Sequence, residues 1–202
     1  TLARSVKAND ITPSIVARAK AHYGDRFDIS VGDATNTGLP DQSVDVVLIF
    51  EALYYIPDPE AFVAECRRIL RPGGVVLVSN ANKDLFDFNP SPHSFTYHGV
   101  AELGELFSRE GFSSEFWGST PLESVSAAQR ILRPIKALVV KLNLMPKTMG
   151  GKRLLKRLVF GPPVSMPAEI TADMAPVEVP TALPPGKPDG SHKVIYCKAT
   201  LA

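Results

Sequence analysis

The stretch Gly32–Asn80, GDATNTGLPDQSVDVVLIFEALYYIPDPEAFVAECRRILRPGGVVLVSN, decides the fold. It opens on an acid behind a glycine, Gly32-Asp33, followed by the Leu39-Pro40 loop. Val44, Val46, Val47, Leu48, Ile49 and Phe50 then form an apolar, β-branched run of the length of one strand. Asp58-Pro59-Glu60 is a helix start, with a carboxylate to accept an N-terminal N–H and a proline whose missing donor is no loss at the first helical position. Phe62, Val63, Cys66, Ile69 and Leu70 recur at helical spacing. Arg71-Pro72-Gly73-Gly74 stops this helix, and Val75, Val76, Leu77 and Val78 follow at once as a second strand. Continuous Val/Ile/Leu runs of this kind suit strands of a parallel sheet buried on both faces.

Upstream, Ser5–Asp10 reads as a strand, and Thr12-Pro13 as a hydroxyl cap with proline at the first helical position. Ile15, Val16, Ala19 and Tyr23 keep helical spacing to a stop at Gly24, and Phe27, Ile29 and Val31 alternate as a short strand. Downstream, Asn80–Thr96 is a polar loop, Val100–Arg109 a helix ending near Gly111, and Phe112–Ser119 a strand. The last strand spans His192–Leu201, with Ile195, Cys197 and Ala199 on one face and Val194, Tyr196 and Lys198 on the other. Between the last two strands lies an insert, 121–191, far longer than the usual hairpin loop of about two to five residues. Its first half is basic and helical in pattern (Arg130, Arg133, Lys136, Lys141, Lys147, Lys152, Arg153, Lys156, Arg157), and its second half, Pro162–Pro188, is proline-rich and extended.

Composition narrows the class. A formal net charge of +1 gives no global pull toward nucleic acid or membrane, and 45% hydrophobic with 21% charged residues is ordinary for a globular domain. Cys66 and Cys197 fall on apolar elements without metal-ligand spacing; they read as small apolar groups in a reduced, cytoplasmic setting, and no metal is expected. No apolar run reaches the length of a membrane span.

In this order the features resemble the middle of a class I S-adenosylmethionine-dependent methyltransferase, of the branch that acts on small molecules. The resemblance covers 1–119 and 192–201 and rests on the joint order of features, since no single motif is diagnostic. It implies an α/β, Rossmann-like three-layer sandwich with a mostly parallel sheet, an antiparallel last strand between its neighbours, and S-adenosyl-L-methionine as cofactor. It divides the chain into a core, 1–120 with 192–202, and the 121–191 insert. No glycine-rich loop of that family stands at the start. Thr1–Arg4 resembles the end of its first helix, so the chain is read as truncated before the second strand. Such a fragment is expected to leave apolar faces bare, to be marginal alone, to bind cofactor weakly and to be inactive by itself.

The resemblance also implies residue roles. Asp10 would accept hydrogen bonds from the ribose hydroxyls and Ile11 would pack on the adenine. Asp33 would accept from the adenine amino group, and the Ala34 N–H would meet a ring nitrogen. Phe50 and Glu51 would lie beside the methyl-transfer centre, with Tyr54 and Tyr55 closing over cofactor or touching acceptor. For a hydroxyl acceptor the candidate bases are His93, His98 and Glu51, the two histidines also facing substrate. Plainer readings stand beside these: Asp10 as an exposed acid before the Thr12 cap, Asp33 as a turn aspartate, the tyrosines as packing, and His98 as a helix cap.

The resulting expectation is methyl transfer to a small molecule, a sugar or a lipid-linked acceptor, at oxygen. The Asn-Pro-Pro-Tyr type of motif that orients amino nucleophiles is absent. One alternative is a non-catalytic methyltransferase-like module that binds a partner. Another is a nicotinamide-dependent oxidoreductase, since an acid at the end of a strand suits any ribose. The basic insert reads as a substrate lid, as a contact with an anionic surface that would make the protein peripheral to the membrane, or as a solvated helix pair. Its sparse aromatics argue against single-stranded nucleic acid.

Overall fold

β3 (Val44–Phe50) and β4 (Leu70–Ala81) lie side by side in parallel, joined by α2 (Pro59–Ile69), in a computed structural model of the chain. The structure describes residues 3–122 and 178–202, with positions 134, 138, 142, 151, 157, 171 and 174. Before this unit come β1 (Lys7–Asp10), α1 (Pro13–Tyr23) and β2 (Asp28–Val31); after it come α3 (Val100–Arg109), β5 (Phe112–Pro121), β6 (Thr181–Leu183) and β7 (His192–Leu201). β1 and β2 pair in parallel as a two-stranded sheet, and the others form a five-stranded sheet in the order β3-β4-β7-β5-β6. β7 runs antiparallel to both neighbours, β4 and β5, as the sequence reading expected.

The elements form for local reasons. Asp58 Oδ1 accepts the Ala61 N–H at 2.9 Å and caps α2, with Pro59 at its first position. At α3 the cap is Gly99, whose N–H donates to Glu102 Oε2 at 3.1 Å. A β-carbon at Gly99 would run into Asp84 Oδ2, so this close approach requires glycine. His98 therefore precedes the cap and does not form it. Thr12 occupies the cap position of α1 but its hydroxyl makes no capping bond; the turn is held by Asp10 Oδ1, which accepts the Thr12 N–H at 2.7 Å.

One core cluster lies between the five-stranded sheet and α2 with α3. It includes Phe62, Val63 and Cys66 from α2, Val100, Leu103 and Phe107 from α3, and Val76, Val78, Ile195, Cys197 and Ala199 from the sheet. Of the two β7 faces that the sequence separates, the one with Ile195, Cys197 and Ala199 turns inward. Burial pushes both thiols, Cys66 and Cys197, up to about 12, so they stay protonated and apolar.

Three expectations change. β4 begins at Leu70, before the Arg71–Gly74 turn. Leu70 pairs with Val44 and Val75 with Val46, so the turn loops out of the ladder, with Gly73 in the left-handed region at φ 75°. β3 is not buried on both faces: Ile49 is covered, but Leu48 is 61% and Phe50 56% exposed. A short strand, β6, pairs with the outer edge of β5 within the extended half of the insert, where the sequence pattern predicted no strand. The basic helical half of the insert, 123–160, lies almost wholly outside the described residues, and with it the lid and anionic-surface readings.

Candidate active site

Chemistry-bearing residues stand at the ends of parallel strands, the place where open α/β sheets bind ligands. Asp10 closes β1, and Asp33 follows β2. Asp33 Oδ1 accepts both the N–H (2.8 Å) and the hydroxyl (2.9 Å) of Thr35, which holds its carboxyl below the usual carboxylate range and hence ionised. Each acid spends one oxygen on its own turn; the other has no protein partner among the described residues. The turn reading of each acid and the ligand reading are therefore compatible. Ile11 stands exposed beside Asp10.

The loop after β2 is tied to the main sheet. Ala34 packs against the core cluster. Thr37 donates its N–H (2.8 Å) and its hydroxyl (2.6 Å) to Glu65 Oε1 on α2. Arg68 closes the network through its Nε to Glu65 Oε2 at 2.8 Å and an Nη to the Leu39 carbonyl at 2.7 Å. The Arg68 hydrogen bond is the main reason the buried Glu65 carboxyl is held down to about 2.

Glu51, directly after β3, is in the left-handed region at φ 53°, a conformation that costs a non-glycine residue about 1 kcal/mol or more and that clusters at ligand sites. Its N–H donates to the Ser79 carbonyl at 2.8 Å, and its carboxylate accepts the Tyr54 hydroxyl at 3.0 Å and the Ser79 hydroxyl at 3.4 Å. Burial, then the Glu51 hydrogen bond, pushes the Tyr54 phenol well above its ordinary range, so it remains a donor. The Tyr54 ring is stacked on Tyr97 (centroids 4.3 Å, 21°), touches Tyr55 (4.6 Å), and Tyr97 in turn meets Phe88 edge-on (4.8 Å).

The two histidine candidates part company. His98 is buried; burial lowers its pKa and keeps the imidazole neutral, and its Nδ1 has no partner among the described residues. The Asn80 side chain reaches the His98 carbonyl at 3.4 Å. His93 is exposed on the 83–98 loop, its N–H donating to Ser91 Oγ at 3.4 Å. Neither ring hydrogen-bonds to Glu51 among the described residues. The groove along α1, lined by Ile15, Arg18, Ala19, His22 and Tyr23, contains none of the site residues.

Sequence reasoning missed Ser79, Tyr97 and Glu65. Each had a signal: a hydroxyl at the end of an apolar run, an aromatic that follows Phe86, Phe88 and Phe95 in a polar loop, and an acid on the flank of an apolar helix stripe. It also missed a buried knot at the start of β7. There His192 Nδ1 lies 3.2 Å from Asp189, and Asn82 Nδ2 donates to the Asp189 and His192 carbonyls at 2.6 and 2.8 Å. His192 is thus a structural residue.

Comparison with known proteins bears on this geometry. Residues 1–78 match the family model described as a methyltransferase domain. A probable S-adenosylmethionine-dependent methyltransferase of Mycolicibacterium smegmatis is 41% identical over 118 residues, 56% of this chain and 46% of that protein. A ubiquinone biosynthesis O-methyltransferase of Xanthomonas oryzae is 36% identical over 116 residues, 54% of this chain and 45% of that protein. The chain thus spans about half the length of the curated relatives it matches. In fold it is similar to a Thermotoga maritima S-adenosylmethionine-dependent methyltransferase, described as a possible histamine N-methyltransferase, with TM-score 0.59, 14% identity, and coverage of 98% of this chain and 73% of that one. A likeness at that identity speaks for the fold alone. The likeness is thus to S-adenosylmethionine-dependent methyltransferases, in sequence over part of the chain and in fold over nearly all of it. The cofactor this likeness implies is S-adenosyl-L-methionine, and the residues fit it: two carboxylates with oxygens to spare, an exposed Ile11 directly after one of them, and a strained Glu51 following the exposed Phe50 at the end of β3.

Proposed function

We propose that the protein transfers a methyl group from S-adenosylmethionine to an oxygen of a small-molecule or lipid-linked acceptor. The observation that carries this reading is the juxtaposition of Glu51 and Tyr54 at the end of β3, with the 83–98 loop folded over them. A relative named as an O-methyltransferase supports oxygen as the nucleophile.

When bound, the cofactor supplies an electrophilic methyl on a sulfonium with a good leaving group, so alignment of the acceptor carries much of the barrier reduction. Asp10 and Asp33 would hold ribose and adenine through the oxygens their turns leave over, the Ala34 N–H would meet the adenine ring, Ile11 would pack on the adenine, and Phe50 would lie beside the methyl-transfer centre. Glu51 is the base best placed for an acceptor hydroxyl, because two hydrogen bonds and a fixed backbone orient its carboxylate. Tyr54 keeps its proton and fixes that orientation. His98 acts from behind, as a neutral buried ring under the loop, and the exposed His93 lies at the loop's outer side.

The test is release of S-adenosylhomocysteine by the full-length protein, screened over hydroxylated acceptors, with Glu51→Gln beside the wild type. A loss of about a hundredfold in kcat with cofactor affinity kept within a few-fold is expected. An unchanged kcat in Glu51→Gln removes Glu51 from the base's role.

A further inference from the structure

Among the described residues β2 pairs with β1 alone, so the turn that follows β2 is tied to the five-stranded sheet by other means. That turn carries the acid that would meet adenine. It closes on itself: the Asn36 N–H donates to the Asp33 carbonyl at 3.2 Å, and Thr35 occupies one Asp33 carboxylate oxygen with its N–H and its hydroxyl. The next residue is Thr37, and both of its donors end on Glu65 Oε1. Two bonds to one buried oxygen hold the Thr37 backbone and its side chain together. A closed turn followed at once by an anchored residue has little freedom to swing.

The anchor is itself fixed. Arg68 takes both Glu65 oxygens, Nε donating to Oε2 at 2.8 Å and Nη2 to Oε1 at 2.9 Å. The same guanidinium donates to the Leu39 carbonyl and to the Asp41 carboxylate. The N–H groups of Gln42 and Ser43 then donate to the Arg68 and Ile69 carbonyls at 3.0 and 2.8 Å. Residues 37–43 are thus bonded along α2, whose Phe62, Val63, Cys66 and Ile69 are buried. Stability alone is a poor reason to bury an ion pair. Desolvation offsets most of the attraction, and apolar residues of like volume often serve as well. A bidentate arginine–carboxylate pair supplies defined geometry.

We propose that Glu65 is a positioning residue for nucleoside recognition: through Thr37 it fixes where the second Asp33 oxygen and the Ala34 N–H stand, and so sets the preference of the site for an aminopurine. This rests on the S-adenosylmethionine reading and on Asp33 as the partner of the adenine amino group. A carboxylate accepts from an amino group and repels a carbonyl oxygen in the same place. The preference is sharp only while the carboxylate is held in position.

The experiment reads a ratio of affinities, which general loosening does not move. Full-length protein is titrated calorimetrically with S-adenosylhomocysteine and with S-inosylhomocysteine, in which a carbonyl oxygen replaces the adenine amino group. Wild type should prefer the adenosyl compound about tenfold or more. Glu65→Gln should narrow that preference about fivefold, and Thr37→Val, which loses the hydroxyl and keeps the shape, about threefold. Thr37→Ser, which keeps the hydroxyl, should restore it. Thr37→Val carries the test where Glu65→Gln does not fold. Ile195→Val, a truncation at a fully buried position of β7, should lower the urea midpoint and leave the ratio alone. A wild-type ratio in both Glu65→Gln and Thr37→Val overturns the positioning role and leaves the cofactor reading standing. Equal narrowing in Ile195→Val overturns it too, because loosening anywhere then suffices. Wild type that binds both compounds alike removes Asp33 from adenine recognition, and this proposal with it. Well-folded wild type that binds neither is a different result: it sinks the methyl-transfer reading itself.

Discussion

The β1–α1–β2 unit and the five-stranded sheet are built from similar sequence signals and end up very differently buried. In the first, Val16 and Ile29 are the core residues, while Val6, Ile11, Ile15 and Val31 stand exposed. In the second, Leu53, Val63, Val76, Val100, Leu103, Phe107, Ile195 and Ala199 are completely covered. Periodicity therefore specifies which element forms, and burial depends on what that element finds to pack against. The proposed site draws on both regions. Asp10 and Asp33 belong to the loosely covered one, Glu51, Tyr54 and Ser79 to the tight one, and the Thr37–Glu65 hydrogen bonds tie the intervening loop to α2.

Core truncation should show the contrast at its largest. Phe107→Ala, which removes a fully buried ring set edge-on to Phe112, should cost about 3–5 kcal/mol by urea denaturation. A cost below about 1 kcal/mol would mean that the tight region is not the stabilising one. Next comes the tether. Glu65→Gln should cost about 1–3 kcal/mol at pH 7, because it strips the charge from a network shared by Thr37 and Arg68. The wild-type carboxyl titrates near 2 when folded and near 4.5 when not. Its contribution is therefore full above about 4.5 and fades as the pH falls toward 2, so the gap between wild type and Glu65→Gln should close over that range.

A smaller effect is expected at His98. Burial depresses its pKa below the ordinary 6.5, so the unfolded chain binds the proton more readily and stability falls as the pH drops below 6.5. Urea midpoints at about pH 7.5 and 5.5 should differ less in His98→Gln than in wild type. An unchanged slope would place the titration elsewhere. Smallest of all, Ile11→Ala, at an exposed position of the loose unit, should shift stability by no more than about 0.5 kcal/mol while still weakening cofactor binding. A large stability loss there would show the two regions to be equally packed.

Much of this was legible beforehand because it is local. α3, β3 and β7 lie where the apolar period placed them, and Asp58 caps α2 as its position before Pro59 implied. What escaped was non-local. Whether Leu48 is covered depends on a neighbour across the sheet, so an apolar run cannot report it. β6 pairs through three residues with β5, too few for a pattern. The Tyr54–Tyr97 stack and the Asn82–Asp189 knot join residues far apart in sequence, and only the closed fold brings them together. The candidate site was therefore half readable: its acids sit at strand ends, a local position, but the Ser79 hydroxyl that helps orient Glu51 comes from β4, and the burial of His98 comes from the closed fold.

The most direct measurement is calorimetric titration of S-adenosylhomocysteine into the full-length protein, with Asp10→Ala from the loose region and Glu51→Ala from the tight one. A site whose cofactor acids stand in the loose region and whose base stands in the tight one predicts micromolar binding that Asp10→Ala weakens about tenfold or more and Glu51→Ala changes by no more than a few-fold, with urea midpoints little changed. Absence of binding to well-folded protein, or full affinity in Asp10→Ala, would contradict it.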